Sequence, residues 1–210
     1  MRVFVLLLIL SNFAQAAVYE KQIRSGLAYL RTHQSDGHDG YDEGQWHAQV
    51  TSTMPSMIGI GKIGVPYEEP TQFLSASVAN VLAEIYFANS IYREIPEMVY
   101  ESGASLENYR WGSLFHYYPP KTFRGVPIRG PRYLPLAKQW QGLAYIPPDA
   151  DTTSLTYTYL HYRKNILAGT SPLANSSALP EKTMAWFSSA RDVHRRPHSF
   201  NALQGQFNTG

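Results

Sequence analysis

Apolar residues recur every three to four positions along several stretches of the chain, the spacing that lines one face of a helix. Ile23, Leu27 and Leu30, with Tyr29 beside them, predict a helix over 19–32. Phe73, Leu74, Val78, Val81, Leu82, Ile85 and Tyr86 form a broader stripe and predict a long helix over 72–92. A stripe that wide must pack on other helices. A helix over 50–62 is also predicted, although Pro55 and the Gly59/Gly61 pair blur its limits, and 64–70 reads as a linker. Pro96 opens a short helix through Tyr100. Another runs over 155–166, its end marked by Lys164, Asn165 and Gly169. A last short one covers 181–190. Between them lie turn-rich connections, notably 33–40 and 170–180. The pattern predicts an all-α chain.

The start of the chain breaks this pattern. Arg2 precedes an apolar run from Val3 to Leu10 that is too short to span a bilayer. Ala14-Gln15-Ala16 follows as a small-x-small site. Residues 1–16 therefore read as a signal peptide and 17–210 as the domain, with no membrane span after cleavage and a periplasmic or secreted location. The chain has no cysteine, hence neither disulfides nor a lipidation site.

Length and composition narrow the classes. The 210 residues suffice for one domain with a substantial core, and 44% hydrophobic against 16% charged is a globular balance. A net charge of +2 is too small for a nucleic-acid partner. Residues 105–148 concentrate aromatics, prolines and arginines, among them Trp111, Tyr117, Tyr118, Arg129, Arg132, Trp140 and Tyr145. Such a stretch suits a substrate-binding surface, with aromatic faces for a cation and arginines for an oxyanion. It also suits an irregular cap held by aromatic packing.

The chemistry concentrates in Pro147-Pro148-Asp149-Ala150-Asp151-Thr152-Thr153-Ser154. Asp149 can cap the helix that follows, and acids are favoured at that end by the helix dipole. The same residues allow a second reading. Two acids two residues apart in a dry pocket cannot both ionise cheaply, so one keeps its proton and can act as a general acid.

This stretch resembles the Asp-x-Asp-Asp-Thr-Ala motif of class II terpene cyclases, and more closely its Asp-x-Asp-Thr-Thr variant. Asp149 and Asp151 match the first and middle acids, and Thr152 stands where many members carry a third Asp. The resemblance implies that Asp151 protonates an alkene or epoxide, Asp149 tunes it, and Thr152 and Thr153 orient the pair. Arg24-Ser-Gly26, Gln34 and Gly44-Gln45-Trp46 resemble the QW motif of the squalene cyclase and prenyltransferase superfamily, with a longer gap between Gln34 and Gly44. That implies a structural role, in which a Gln bonds backbone at a helix end and a Trp packs on the next repeat.

The superfamily fold implied is an α/α toroid, a ring of about six helical hairpins. This chain has room for four or five, so it resembles an incomplete α/α barrel of helical hairpins, truncated at the C-terminus or completed by a second domain or subunit. The implied ligand is an isoprenoid or lipid-like small molecule. No metal or cofactor is implied, with Mg²⁺ entering only alongside a diphosphate substrate. Zinc has no cysteine ligand here, and His33, His38 and His47 lack a zinc spacing.

Two other functions compete. One is an exported glycan-active α/α barrel enzyme using Asp149, Asp151 or Asp42/Glu43. Acids on one helix turn do not naturally flank a sugar, whose catalytic carboxylates sit roughly 5–10 Å apart. The other is a non-catalytic toroid that binds a lipid or a protein partner.

Overall fold

The computed structural model describes residues 19–38, 41–55, 62–123, 126–129, 147–171, 180–189, 191–192 and 199–200. The proposed signal peptide therefore lies outside the described residues. The packed core is helical. Helix α1 covers 19–32, α2 Gln72–Ala88, α3 Ile95–Glu101, α4 Ala150–Ala168 and α5 Glu181–Ser189. Strands enter only as two-stranded antiparallel hairpins. These are β1–β2 (His47–Pro55 with Lys62–Pro70), β3–β4 (Arg110–Trp111 with Leu114–Phe115), β5–β6 (Pro120–Phe123 with Val126–Arg129) and β7–β8 (Arg191–Asp192 with Ser199–Phe200).

The β1–β2 hairpin replaces the helix predicted over 50–62 and the linker over 64–70. Its register pairs Val50 with Tyr67, Ser52 with Val65 and Met54 with Ile63. Gln49–Glu68, Thr51–Pro66 and Thr53–Gly64 alternate with them. That is a period of two with β-branched residues, a strand signal.

Helices alternate in direction. Tyr92, just ahead of α3, donates to Glu20 near the start of α1 at 2.6 Å. Arg31, at the end of α1, reaches Glu97 at 3.1 Å and also Glu101, both in α3. So α1 and α3 run the same way. Helices α2 and α4 do likewise: Gln72 Nε2 donates to Thr156 Oγ1 at 3.1 Å near their starts, and Phe87 meets Tyr162 edge-on near their ends.

The buried face of α2 is not its most apolar one. Ser75, Ala76, Ala79, Asn80, Leu82 and Ala83 are buried, while Phe73 and Val81 are exposed. Small residues let α4 approach closely, presenting Thr152, Thr153, Thr156 and Tyr159. Asn80 Nδ2 donates across this seam to the Leu155 carbonyl at 3.0 Å. Leu27, Trp46, Ile95, Met98, Val99, Tyr109 and Phe115 complete the core.

The loop from α1 into β1 is held at several points. Ser35 N–H donates to Gln45 O and Gly44 N–H to Ser35 O, both at 2.8 Å. Gln34 Nε2 donates to Gly44 O at 3.1 Å and to Met98 O, in α3, at 2.9 Å. The buried Trp46 donates its indole N–H to Leu30 O, at the end of α1, at 2.9 Å. Gly44 sits at φ +79° against α3, where an added Cβ would lie 1.8 Å from Glu101 O. Both the positive φ and the backbone contact demand glycine. Gly44→Ala should therefore destabilise the protein by more than ~2 kcal/mol. Chemical denaturation checks this; an unchanged midpoint would mean that the loop does not press on α3.

Candidate functional site at the mouth of α4

Asp149 has the extended backbone of an N-cap, and its side chain accepts the Thr152 N–H at 2.7 Å. Its carbonyl accepts the Thr153 N–H at 3.1 Å. The Pro147-Pro148 pair ahead of it is buried and cannot continue a helix backwards. At the far end Gly169, at φ +64°, closes α4 in the left-handed conformation.

The cap is unusual in its burial. Asp149 is 8% exposed, and its second carboxyl oxygen, Oδ2, is buried with no hydrogen-bond partner. The fully buried Thr152 side chain lies against this carboxyl and, with the Thr152 N–H, favours its charged form. Burial pushes the Asp149 carboxyl above the usual carboxylate range. The Thr152 N–H pulls against that shift, and the negative charge of Asp151 adds to it.

Asp151 is placed differently. It lies one residue into α4 and is exposed. The two acids therefore do not share a dry pocket, because an N-cap points back over the helix end while the second helical residue points outward. Of the two acids, Asp149 is the buried one.

A strap crosses the mouths of α2 and α4. Phe115 N–H donates to Thr153 Oγ1 at 3.1 Å, and Gln72 N–H donates to Tyr117 O at 3.1 Å. Thr153 is thus a fully buried strap anchor. The Ser113 carbonyl, in the turn of β3–β4, accepts both Tyr157 OH and Thr183 Oγ1 at 2.9 Å. Tyr117 and Tyr118 are half-buried on this strap and in edge-on contact, whereas Trp111 is exposed at the hairpin. Arg129 ends β6, and nothing is described of its side chain. Arg132, Trp140 and Tyr145 lie outside the described residues.

Sequence reasoning missed Glu69, Gln72 and His116, all buried at or near these mouths. Glu69 fell in a predicted linker and His116 in an irregular stretch, where nothing in the pattern marks burial. A separate polar cleft of about 480 Å³ lies between the ends of α1 and α3, lined by Arg31, Gln34, Ser35, Asp36, Glu43 and Glu101. Among the described residues no group of three or more His, Cys, Asp or Glu could hold a metal ion. Nor is any described helix long and apolar enough to cross a membrane.

The chain matches no family model, no curated protein and no solved structure.

The raised carboxyl has a stability consequence with a definite sign. Its folded pKa lies above the unfolded value near 4. The contribution of Asp149 is therefore full below the unfolded value and is lost as pH rises through the folded one. Asp149→Asn keeps a capping oxygen and adds a donor where Oδ2 stands. Its unfolding free energy should be flatter with pH across that window than that of the parent chain. Denaturation midpoints measured from pH 3 to 8, beside carboxyl NMR of Asp149, check this; parallel curves would place the Asp149 carboxyl in water.

Proposed function

We propose that this chain is an exported, cyclase-like α/α toroid domain in which Asp149 is the acid that protonates an isoprenoid double bond. The observation that carries the reading is the buried Asp149 carboxyl, raised by desolvation and with Oδ2 unpartnered. A carboxylic acid whose pKa is raised by burial holds its proton to higher pH and can donate it. The toroid part rests on helices of like direction alternating in sequence, α1 with α3 and α2 with α4. It rests also on Gln34, whose side chain bonds backbone at Gly44 and Met98, and on the burial of Trp46.

In this reading the Oδ2–H bond breaks and a C–H bond forms from the alkene π pair. The positive charge is left on the more substituted carbon. The new carboxylate remains bonded to the Thr152 N–H through Oδ1. Aromatic faces such as Tyr117 and Tyr118 stabilise a cation at the mouth. Loss of a proton from a carbon beside the cation restores Asp149, so the net reaction is an isomerisation or cyclisation. Thr153 acts through the strap, and Asp151 contributes charge without taking part in proton transfer. No metal is required; Mg²⁺ enters only with a diphosphate substrate. A second subunit or a further domain completes the cavity.

The test is turnover of a linear isoprenoid hydrocarbon and of a linear isoprenoid diphosphate by the purified chain. Asp149→Asn should lose activity by about 10²-fold or more, the usual contribution of a general acid. Asp151→Asn should stay within a few-fold of the parent. Full activity in Asp149→Asn sinks the assignment. Binding of the isoprenoid without turnover would move the protein to a lipid-binding role, and release of reducing ends from a polysaccharide would make it a glycan-active enzyme.

A further inference from the structure

Arg163 lies about 20 Å along α4 from the Asp149 cap, from a rise of 1.5 Å per residue. Arg24, Arg31 and Arg110 each hold a glutamate at ion-pair distance. Among the described residues, Arg163 pairs with no carboxylate and makes no hydrogen bond. Its guanidinium carbon stands 4.7 Å from the centre of the Tyr100 ring. Gly103 lies against the same group: a Cβ there would come within 3.1 Å of Arg163 Cζ and Nε, and within 2.7 Å of Tyr159 OH. Gly103 has no positive φ, so the space it leaves for Arg163 and Tyr159, rather than backbone freedom, is what requires glycine there.

This seat fixes the plane of the guanidinium. Nε is buried and unpartnered, while the terminal nitrogens retain exposure to water. A planar fork held against one aromatic ring is arranged for bidentate recognition of an oxyanion. Tyr100 and Leu167, four residues on from Arg163, are exposed beside it, and the exposed Lys164 adds positive charge. Tyr and Arg with apolar neighbours are the composition of protein-binding hot spots. Two basic residues are too few for an anionic membrane surface, which draws on clusters of four to eight.

We propose that Arg163, seated between Gly103 and Tyr100, is a docking point for a carboxylate on an acidic segment of a protein partner, flanked by apolar side chains. The site is independent of the chemistry at Asp149.

The probe is a blocked tripeptide of leucine, glutamate and leucine, followed by NMR of the Arg163 side-chain Nε–H and the Tyr100 ring in the full chain. The acidic peptide should shift both signals saturably. Its glutamine analogue should bind at least tenfold more weakly. Arg163→Lys retains charge without the fork, and Gly103→Ala fills the seat; each should weaken the acidic peptide at least tenfold. If Gly103→Ala fails to fold, Arg163→Lys alone decides. Four results would overturn the proposal: no saturable shift at tens of millimolar peptide, equal binding by Arg163→Lys, an inorganic phosphate response matching the peptide's, or binding to phosphatidylglycerol vesicles in place of the peptide.

Discussion

The close approach of α2 to α4 is the constraint on which the remaining structure depends. Two helices running the same way cannot be joined by a short turn, so the chain between them must travel the length of the bundle and return. Here α3 and the 105–118 segment make part of that return. The seam is built from buried small residues, with Gln72 bonded to Thr156 and Asn80 to the Leu155 carbonyl across it. Larger side chains on α2 would separate the helices and leave those amides and hydroxyls without partners, at a cost of about 1–3 kcal/mol each. The same geometry sets both helix mouths at one end, where the strap through Phe115 and Tyr117 can bridge them.

That arrangement explains why the end of α4 is dry. An N-cap at the surface keeps its second carboxyl oxygen in water, and its acidity stays ordinary. Here the buried Pro147-Pro148 pair leads in from one side and the strap crosses beside it, so Asp149 caps the helix with one oxygen while the other is cut off from solvent. Capping and proton retention are consequences of one placement. The two readings of the acidic stretch, cap and acid, therefore do not exclude each other.

Much of this was legible in the chain, and the gaps have physical causes. The α1, α3, α4 and α5 segments, the Asp149 cap and the Gly169 stop all follow from local signals: periodicity, short polar caps, proline and glycine. Three features did not. The β1–β2 hairpin was hidden because methionines and glycines around residues 54–61 fit neither period well. On α2 the predicted stripe packs on the core through Leu74, Val78, Leu82, Ile85 and Tyr86, but Phe73 and Val81 are exposed, because small residues such as Ala76, Ala79 and Ala83 take the fully buried positions. The exposure of Asp151 was not legible because the motif gives spacing but not direction; whether a residue faces in or out at a helix start depends on what covers that end. Burial of Glu69 and His116 is a tertiary property with no local trace.

The Ser113 carbonyl also matters for how the molecule comes apart. One backbone oxygen accepts hydroxyls from α4 and α5, through Tyr157 and Thr183. It belongs to a hairpin that is itself pinned to α4 by Thr153. These three elements are far apart in sequence but share a single knot. Opening any one of them exposes polar groups of the other two, so they form one cooperative unit for local unfolding. Amide protons in the hairpin, in the first turns of α4 and in α5 then exchange with water at a common rate, set by the knot rather than by the length of each element.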